Sequence, residues 1–211
     1  GLKPENFKNT NPNFNVTFVV NPGKLTIENC PITITANDVT VKYDGRPHGE
    51  NGYSITKGSL VNGHAATVII SGSETDAGEY EDLLVPSVTK IVDAKGRDVT
   101  SYYDISYEDG FLTINKRNVT LTSASDSKVC DGTPLTKPEV KVTGDGFADG
   151  EGATYNVTGT ITNAGTVDNA FTYTLKDGTK ASNYNITKKE GKLTITEASA
   201  PTPGTFDFND V

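Results

Sequence analysis

The side chains that could carry chemistry in this chain are few. His48 and His64 are the only histidines in 211 residues, and acid–base work near neutral pH falls first to histidine. Both sit in glycine-rich stretches, Pro47-His-Gly49 and Gly63-His-Ala65, which reads them as solvated loop residues. No Ser, Cys or Lys stands in a nucleophile motif, so the chain is expected not to be an enzyme. Asp145, Asp149 and Glu151, clustered between Thr143 and Gly152, offer oxygens to calcium but lack the D-x-D-x-D-G order. They read as a solvated loop. Lys42 and Asn115, on a first and a last strand, could be paired as an isopeptide, but Lys128 and Thr196 break that pairing further along. Cys30 and Cys130 lack C-x-x-C spacing, so no zinc site is expected. Two free thiols are expected, because a bridge needs Cα atoms within about 4–7 Å. No cofactor and no metal are implied. Tyr102, Tyr103 and Tyr107 remain, and tyrosine is favoured on contact surfaces. Alternation turns Tyr103 and Tyr107 inward with Ile105 and leaves Tyr102 outward, the candidate surface contact.

The elements that position these residues are strands. Short runs of Thr, Val and Ile are separated by 21 Gly and 10 Pro, with no Trp or Met. No window shows apolar residues at helical spacing. A net charge of −8 argues against nucleic acid and anionic membrane surfaces as partners. No apolar run approaches the roughly 18 residues of a membrane span, so no membrane insertion is expected, and Gly1 opens without a signal-peptide core. The sequence reads as a piece of a longer secreted chain, monomeric in solution.

Self-similarity organises the chain. Pro22-Gly-Lys-Leu-Thr-Ile27, Asp109-Gly-Phe-Leu-Thr-Ile114 and Glu190-Gly-Lys-Leu-Thr-Ile195 share one ending, preceded by Phe14-Asn-Val16, Tyr103-Asp-Ile105 and Tyr184-Asn-Ile186. This predicts a closing hairpin with glycine at its turn. Asp44 and Asp131 stand 87 residues apart, as do Gly23 and Gly110. Strands are predicted near 32–35, 39–43, 53–56, 66–71, 78–92, 102–107 and 111–116, with a short helical turn around Ser59–Gly63. Tyr43, Val68, Ile70, Tyr80, Val88, Ile91, Tyr103, Ile105, Leu112 and Ile114 are predicted to face the core. The expected division is 1–30, the last strands of a preceding repeat; 31–116 and 117–197, two complete repeats; and 198–211, a Pro/Gly linker. The fold class is all-β: tandem small antiparallel immunoglobulin-like β-sandwich repeats, or β-grasp-like repeats with one short helix. Ile27 to Ile32 and Ile114 to Val119 leave the same four-residue gap, too short for free tumbling.

At Tyr43-Asp-Gly45, Ser59-Leu-Val-Asn-Gly63, Ala77-Gly-Glu-Tyr80 and Gly110-Phe-Leu-Thr-Ile114 the chain resembles the MBG-type repeats of bacterial cell-surface proteins and adhesins. Gly146-Phe-Ala-Asp-Gly150, Ala164-Gly165, Asn183-Tyr-Asn-Ile186 and Gly191-Lys-Leu-Thr-Ile195 match in the second copy, with Cys130 where such repeats usually carry Tyr. The resemblance covers about residues 31–197 and the fragment 11–30. It implies an extracellular location on the bacterial surface. The function it implies is a non-catalytic stalk that presents a distal domain, or direct adhesion to host mucin, glycan or another surface or matrix protein. It transfers no binding residues.

Overall fold

A computed structural model describes residues 1–21, 23–50 and 52–198. Its strands alternate buried and exposed positions as period-two sequences should: Gly110, Leu112 and Ile114 are buried and their neighbours are not. The first unit contains β1 (Cys30–Ala36), β2 (Val39–Lys42), β3 (Tyr53–Lys57), β4 (Ala65–Ser71), β5 (Gly78–Val92), β6 (Tyr103–Glu108) and β7 (Gly110–Asn115). The second contains β8 (Arg117–Ser123), β9 (Asp126–Val129), β10 (Val140–Gly144), β11 (Ala153–Val157), β12 (Gly165–Asp168), β13 (Phe171–Leu175), β14 (Tyr184–Lys189) and β15 (Lys192–Thr196). The molecule is mostly β. The first unit's strands fall within two residues of the predicted bounds.

Among the described residues, strands pair only inside their own unit. The first builds sheets in the order β3-β1-β6 and β2-β7-β5-β4; the second builds β10-β8-β14, β12-β15-β9 and the pair β11-β13. The expected closing hairpin is absent. β6 and β7 lie in different sheets, each parallel to an early strand: β1 with β6, and β2 with β7. The second unit repeats this with β8–β14 and β9–β15. Four of the five sheets are therefore mixed, and the pair β11-β13 is antiparallel. The shared glycine serves the crossover between sheets. A Cβ on Gly110 would stand 3.0 Å from the carbonyl oxygens of Ala36 and Asn37, where β1 gives way to β2. On Gly191 it would stand 2.6 Å from the carbonyl of Ala124, at the matching bend between β8 and β9.

β5 bends where its register shifts between Tyr80 and Leu84, around Asp82 at φ 52°. At the matching place in the second unit the strand breaks in two. Asn169, fully buried, donates from Nδ2 to the carbonyls of Ala124 and Lys137, both at 2.8 Å. Ser59–Gly63 forms no helical turn; it is a reverse turn in which His64 N–H reaches the Val61 carbonyl at 2.9 Å. The 3₁₀ turns lie instead at Pro4–Asn6, Thr100–Tyr102 and Ala181–Asn183.

Of the predicted core, Tyr43, Ile70, Ile91, Tyr103, Leu112 and Ile114 are buried, and Val68, Tyr80, Val88 and Ile105 partly so. Tyr107 is a correction: it is exposed, its hydroxyl accepting Val88 N–H at 3.3 Å. A cluster of Ile32, Ile34, Ile91, Val99 and Tyr103 fills the outer end of the first unit. The largest cluster runs across both units, joining Tyr43, Leu84 and Ile114 to Val119, Phe171 and Tyr184.

Residues 14–27, expected to form a hairpin, contain no strand among those described, and Leu25 and Ile27 are each 87 % exposed. The topology supplies the reason. Their counterparts β6–β7 and β14–β15 pair with earlier strands of their own unit, and residues 1–13 provide none. Most of the expected linker, 199–211, lies outside the described residues.

Candidate functional site

A dense set of polar side-chain contacts lies between the two units, where only Lys116 separates β7 from β8. Tyr43 leaves β2 with its N–H bonded to the Asn115 carbonyl at 2.9 Å, which turns its ring toward the second unit. Its hydroxyl donates to Glu151 Oε1. The other oxygen of that carboxylate accepts the Tyr184 hydroxyl at 2.8 Å, and the two tyrosine rings meet edge to face at 5.6 Å. Tyr184 also accepts Ala148 N–H at 3.0 Å and packs against Phe147 at 5.1 Å. Burial pushes both hydroxyls up to about 12, and the neighbouring Glu151 carboxylate adds to it. They stay protonated and both donate to Glu151.

A charged rim closes around this centre. Arg117 donates to the carbonyls of Tyr43, Asp145 and Gly146, so one guanidinium ties both units together. Asp145 accepts Lys42 Nζ at 2.5 Å and Asn118 N–H at 2.8 Å, which holds its carboxyl below the usual range. On the other side Asp76 accepts Lys180 Nζ at 2.6 Å and Asn183 Nδ2 at 2.9 Å, while Asn183 Oδ1 accepts Ala77 N–H at 2.8 Å. Lys180 and Asn183 together hold Asp76 low.

The remaining candidates fall as follows. Asp145 and Glu151 do not wait for an ion; their oxygens are engaged in the joint. Among the described residues no group of three His, Cys, Asp or Glu is placed to hold a metal. Asp149 lines a shallow polar depression with Asp44, Arg46 and Arg117. Lys42 faces Asn115 across β2 and β7, but its amine turns away to Asp145. Cys30 and Cys130 are free thiols, each partly buried.

Both histidines depart from the solvated-loop expectation, being half-buried and hydrogen-bonded. His48 Nε2 lies 2.8 Å from Asp44 Oδ1. Burial opposes the charge on Asp44, yet the His48 bond and the Arg46 amide outweigh it and lower its carboxyl. The backbone of His48 bridges Glu74, and at the matching place Leu135 bridges Ile161. His64 Nδ1 lies 2.7 Å from the Tyr103 hydroxyl. Its counterpart in the second unit, 87 residues on, is Glu151. Tyr102 projects from the Thr100–Tyr102 turn and is 60 % exposed.

Composition could not flag Asn183, Lys180 or Arg117, because their partners are between 28 and 107 residues away in sequence. Comparison with known proteins yields no matching family model, no matching curated protein and no matching solved structure. No helix among the described residues is long and apolar enough to cross a membrane.

Proposed function

We propose that this chain is a non-catalytic repeat region of a bacterial extracellular surface protein, a stalk that presents a distal domain. Residues 31–116 and 117–197 are its two MBG-type repeats, each a small sandwich-like unit. One observation carries the reading: the joint is built as a core, not as a linker. Two buried tyrosines share one carboxylate, an apolar cluster runs across it, and charged contacts on both flanks resist hinging in either direction. Isolated surface ion pairs contribute little, but a rim around a desolvated centre constrains orientation more than it adds stability. Such a joint suits transmission of position from one end of a chain to the other.

The test is the relative motion of the two units in the intact chain. NMR relaxation and small-angle scattering should report one elongated body with a single tumbling anisotropy. Independent tumbling would overturn the stalk reading. A glycan and mucin binding screen adds the second arm: a saturable interaction confined to one repeat would replace the stalk with a direct adhesion module.

A further inference from the structure

The grip that the second unit exerts on the first has a counterpart on the outer end of the first. Ala148 and Glu151 correspond to Val61 and His64, 87 residues earlier. Asn183 and Tyr184 correspond to Tyr102 and Tyr103, and each pair joins a 3₁₀ turn, Ala181–Asn183 or Thr100–Tyr102, to the strand that follows. The local geometry repeats. Tyr103 Oη accepts Val61 N–H at 3.0 Å, as Tyr184 Oη accepts Ala148 N–H at 3.0 Å. His64 Nδ1 meets Tyr103 Oη at 2.7 Å, where Glu151 Oε2 meets Tyr184 at 2.8 Å.

What differs is the cover. In the second unit Asn183 is fully buried and Ala148 nearly so, because the first unit sits on them. In the first unit Tyr102 is 60 % and Val61 47 % exposed. Glu151 spends one oxygen on its own tyrosine and the other on Tyr43 across the joint. His64 spends Nδ1 on its own tyrosine, and its Nε2 has no partner among the described residues. Either tautomer leaves Nε2 able to bond a hydroxyl, as donor or as acceptor.

We infer that the face formed by Cys30, Leu60, Val61, His64 and Tyr102 receives another β unit of this same kind, whose tyrosine at the Tyr43 position bonds His64 Nε2. The occupant follows from the joint already described, since the same positions of the second unit hold the same end of the first. The closing motif Gly23-Lys-Leu-Thr-Ile27 stands ahead of β1 with the spacing that Gly110–Ile114 has ahead of β8. Cys30 and Gly58 replace Arg117 and Asp145, so this face is more apolar than its counterpart. The inference rests on the stalk reading.

The test lengthens the intact chain, residues 1–116 being followed by residues 30–211. The upstream copy carries His64→Gln and Tyr102→Phe, so that the remaining His64 and Tyr102 belong to the downstream copy. Acylation of His64 by diethylpyrocarbonate and hydroxyl-radical oxidation of Tyr102 should fall several-fold relative to the 211-residue chain, with His48 as reference. Adding Tyr43→Phe to the upstream copy should restore part of the His64 reactivity. Unchanged reactivity in the lengthened chain overturns the inference, as does protection of Tyr102 by a glycan in the unaltered chain. A second arm works within the unaltered length. Glu151→His, which installs the first unit's residue at the known joint, should keep Tyr43 shielded from iodination, whereas Glu151→Ala should expose it. Equal exposure in both overturns the inference. A rigid native joint beside an unprotected His64 sinks this inference alone, while a loose native joint sinks the stalk reading.

Discussion

Gly191 and Gly110 occupy the same place in a repeated motif, but the space around them differs, and that difference sets their tolerance to a methyl group. A Cβ on Gly191 would overlap the Ser123 and Ala124 carbonyls, backbone atoms that cannot move aside. Gly191→Ala is expected to cost about 1–3 kcal/mol, more than any gain from a stiffer unfolded chain. Gly110→Ala, at 3.0 Å from its neighbours, should cost less. Gly23→Ala, with nothing within 4 Å, should stay within about 0.5 kcal/mol of the parent. Urea melts of the three variants check the order. Asn169 is the other decisive single residue. Asn169→Ala takes this donor from the half-buried Ala124 carbonyl, at about 1–3 kcal/mol, while the Lys137 carbonyl keeps the Glu139 N–H. Asn169→Asp places a buried carboxylate against those carbonyls, which raises its pKa, so this variant should regain stability as pH falls.

Among the elements, β6 and β7 show how a correct strand pattern can still assign the wrong partner. Each is short, alternating and adjacent in sequence to the other, which is the ordinary signature of a hairpin. Each instead pairs in parallel with a strand more than 70 residues away in the chain. The consequence reaches residues 14–27. With no strands in residues 1–13 to join, they contribute no ladder, and Phe14, Val19, Leu25 and Ile27 stay largely in water. Deleting residues 1–27 should therefore move the unfolding free energy by less than about 0.5 kcal/mol. Amide exchange in the intact chain should show these residues unprotected while β1 and β8 are among the slowest. A large loss of stability on deletion would contradict this account.

For the whole molecule the joint is the structure that matters, and its charges predict how it responds to pH. Tyr43 and Tyr184 are held up to about 12, against an ordinary value near 10. Their contribution is complete below about pH 10 and is lost as pH climbs toward about 12. Asp76 and Asp145 are held low, so theirs is present above the unfolded value near 4 and lost as pH falls through the lower folded values. The joint should loosen at both extremes. Spectrophotometric titration should show Tyr43 and Tyr184 ionising only as pH approaches about 12. Glu151→Gln should bring both down only part of the way, because burial is the larger cause. Scattering across the same pH series should show the relative motion of the two units growing at both extremes. A joint indifferent to pH from about 3 to 12 would remove the electrostatic part of the argument.

The sequence by itself determined the first unit's strands, their alternation and six of its buried side chains, because period two and turn chemistry are local and each strand carries its own signal. The matched landmarks, such as Gly23, Gly110 and Gly191 before Leu-Thr-Ile, are likewise legible with no knowledge of folding. Partners were a different matter. Whether Gly110 turns a hairpin or lets two sheets cross, and whether Tyr107 faces inward, depends on strands far away in sequence. The same holds for the joint. Glu151 reads as one acid in a glycine-rich loop, and only the packing of β2 against the loop before β11 makes it the residue that holds Tyr43 and Tyr184 together. Local pattern specifies elements; long-range registry decides which side chains meet.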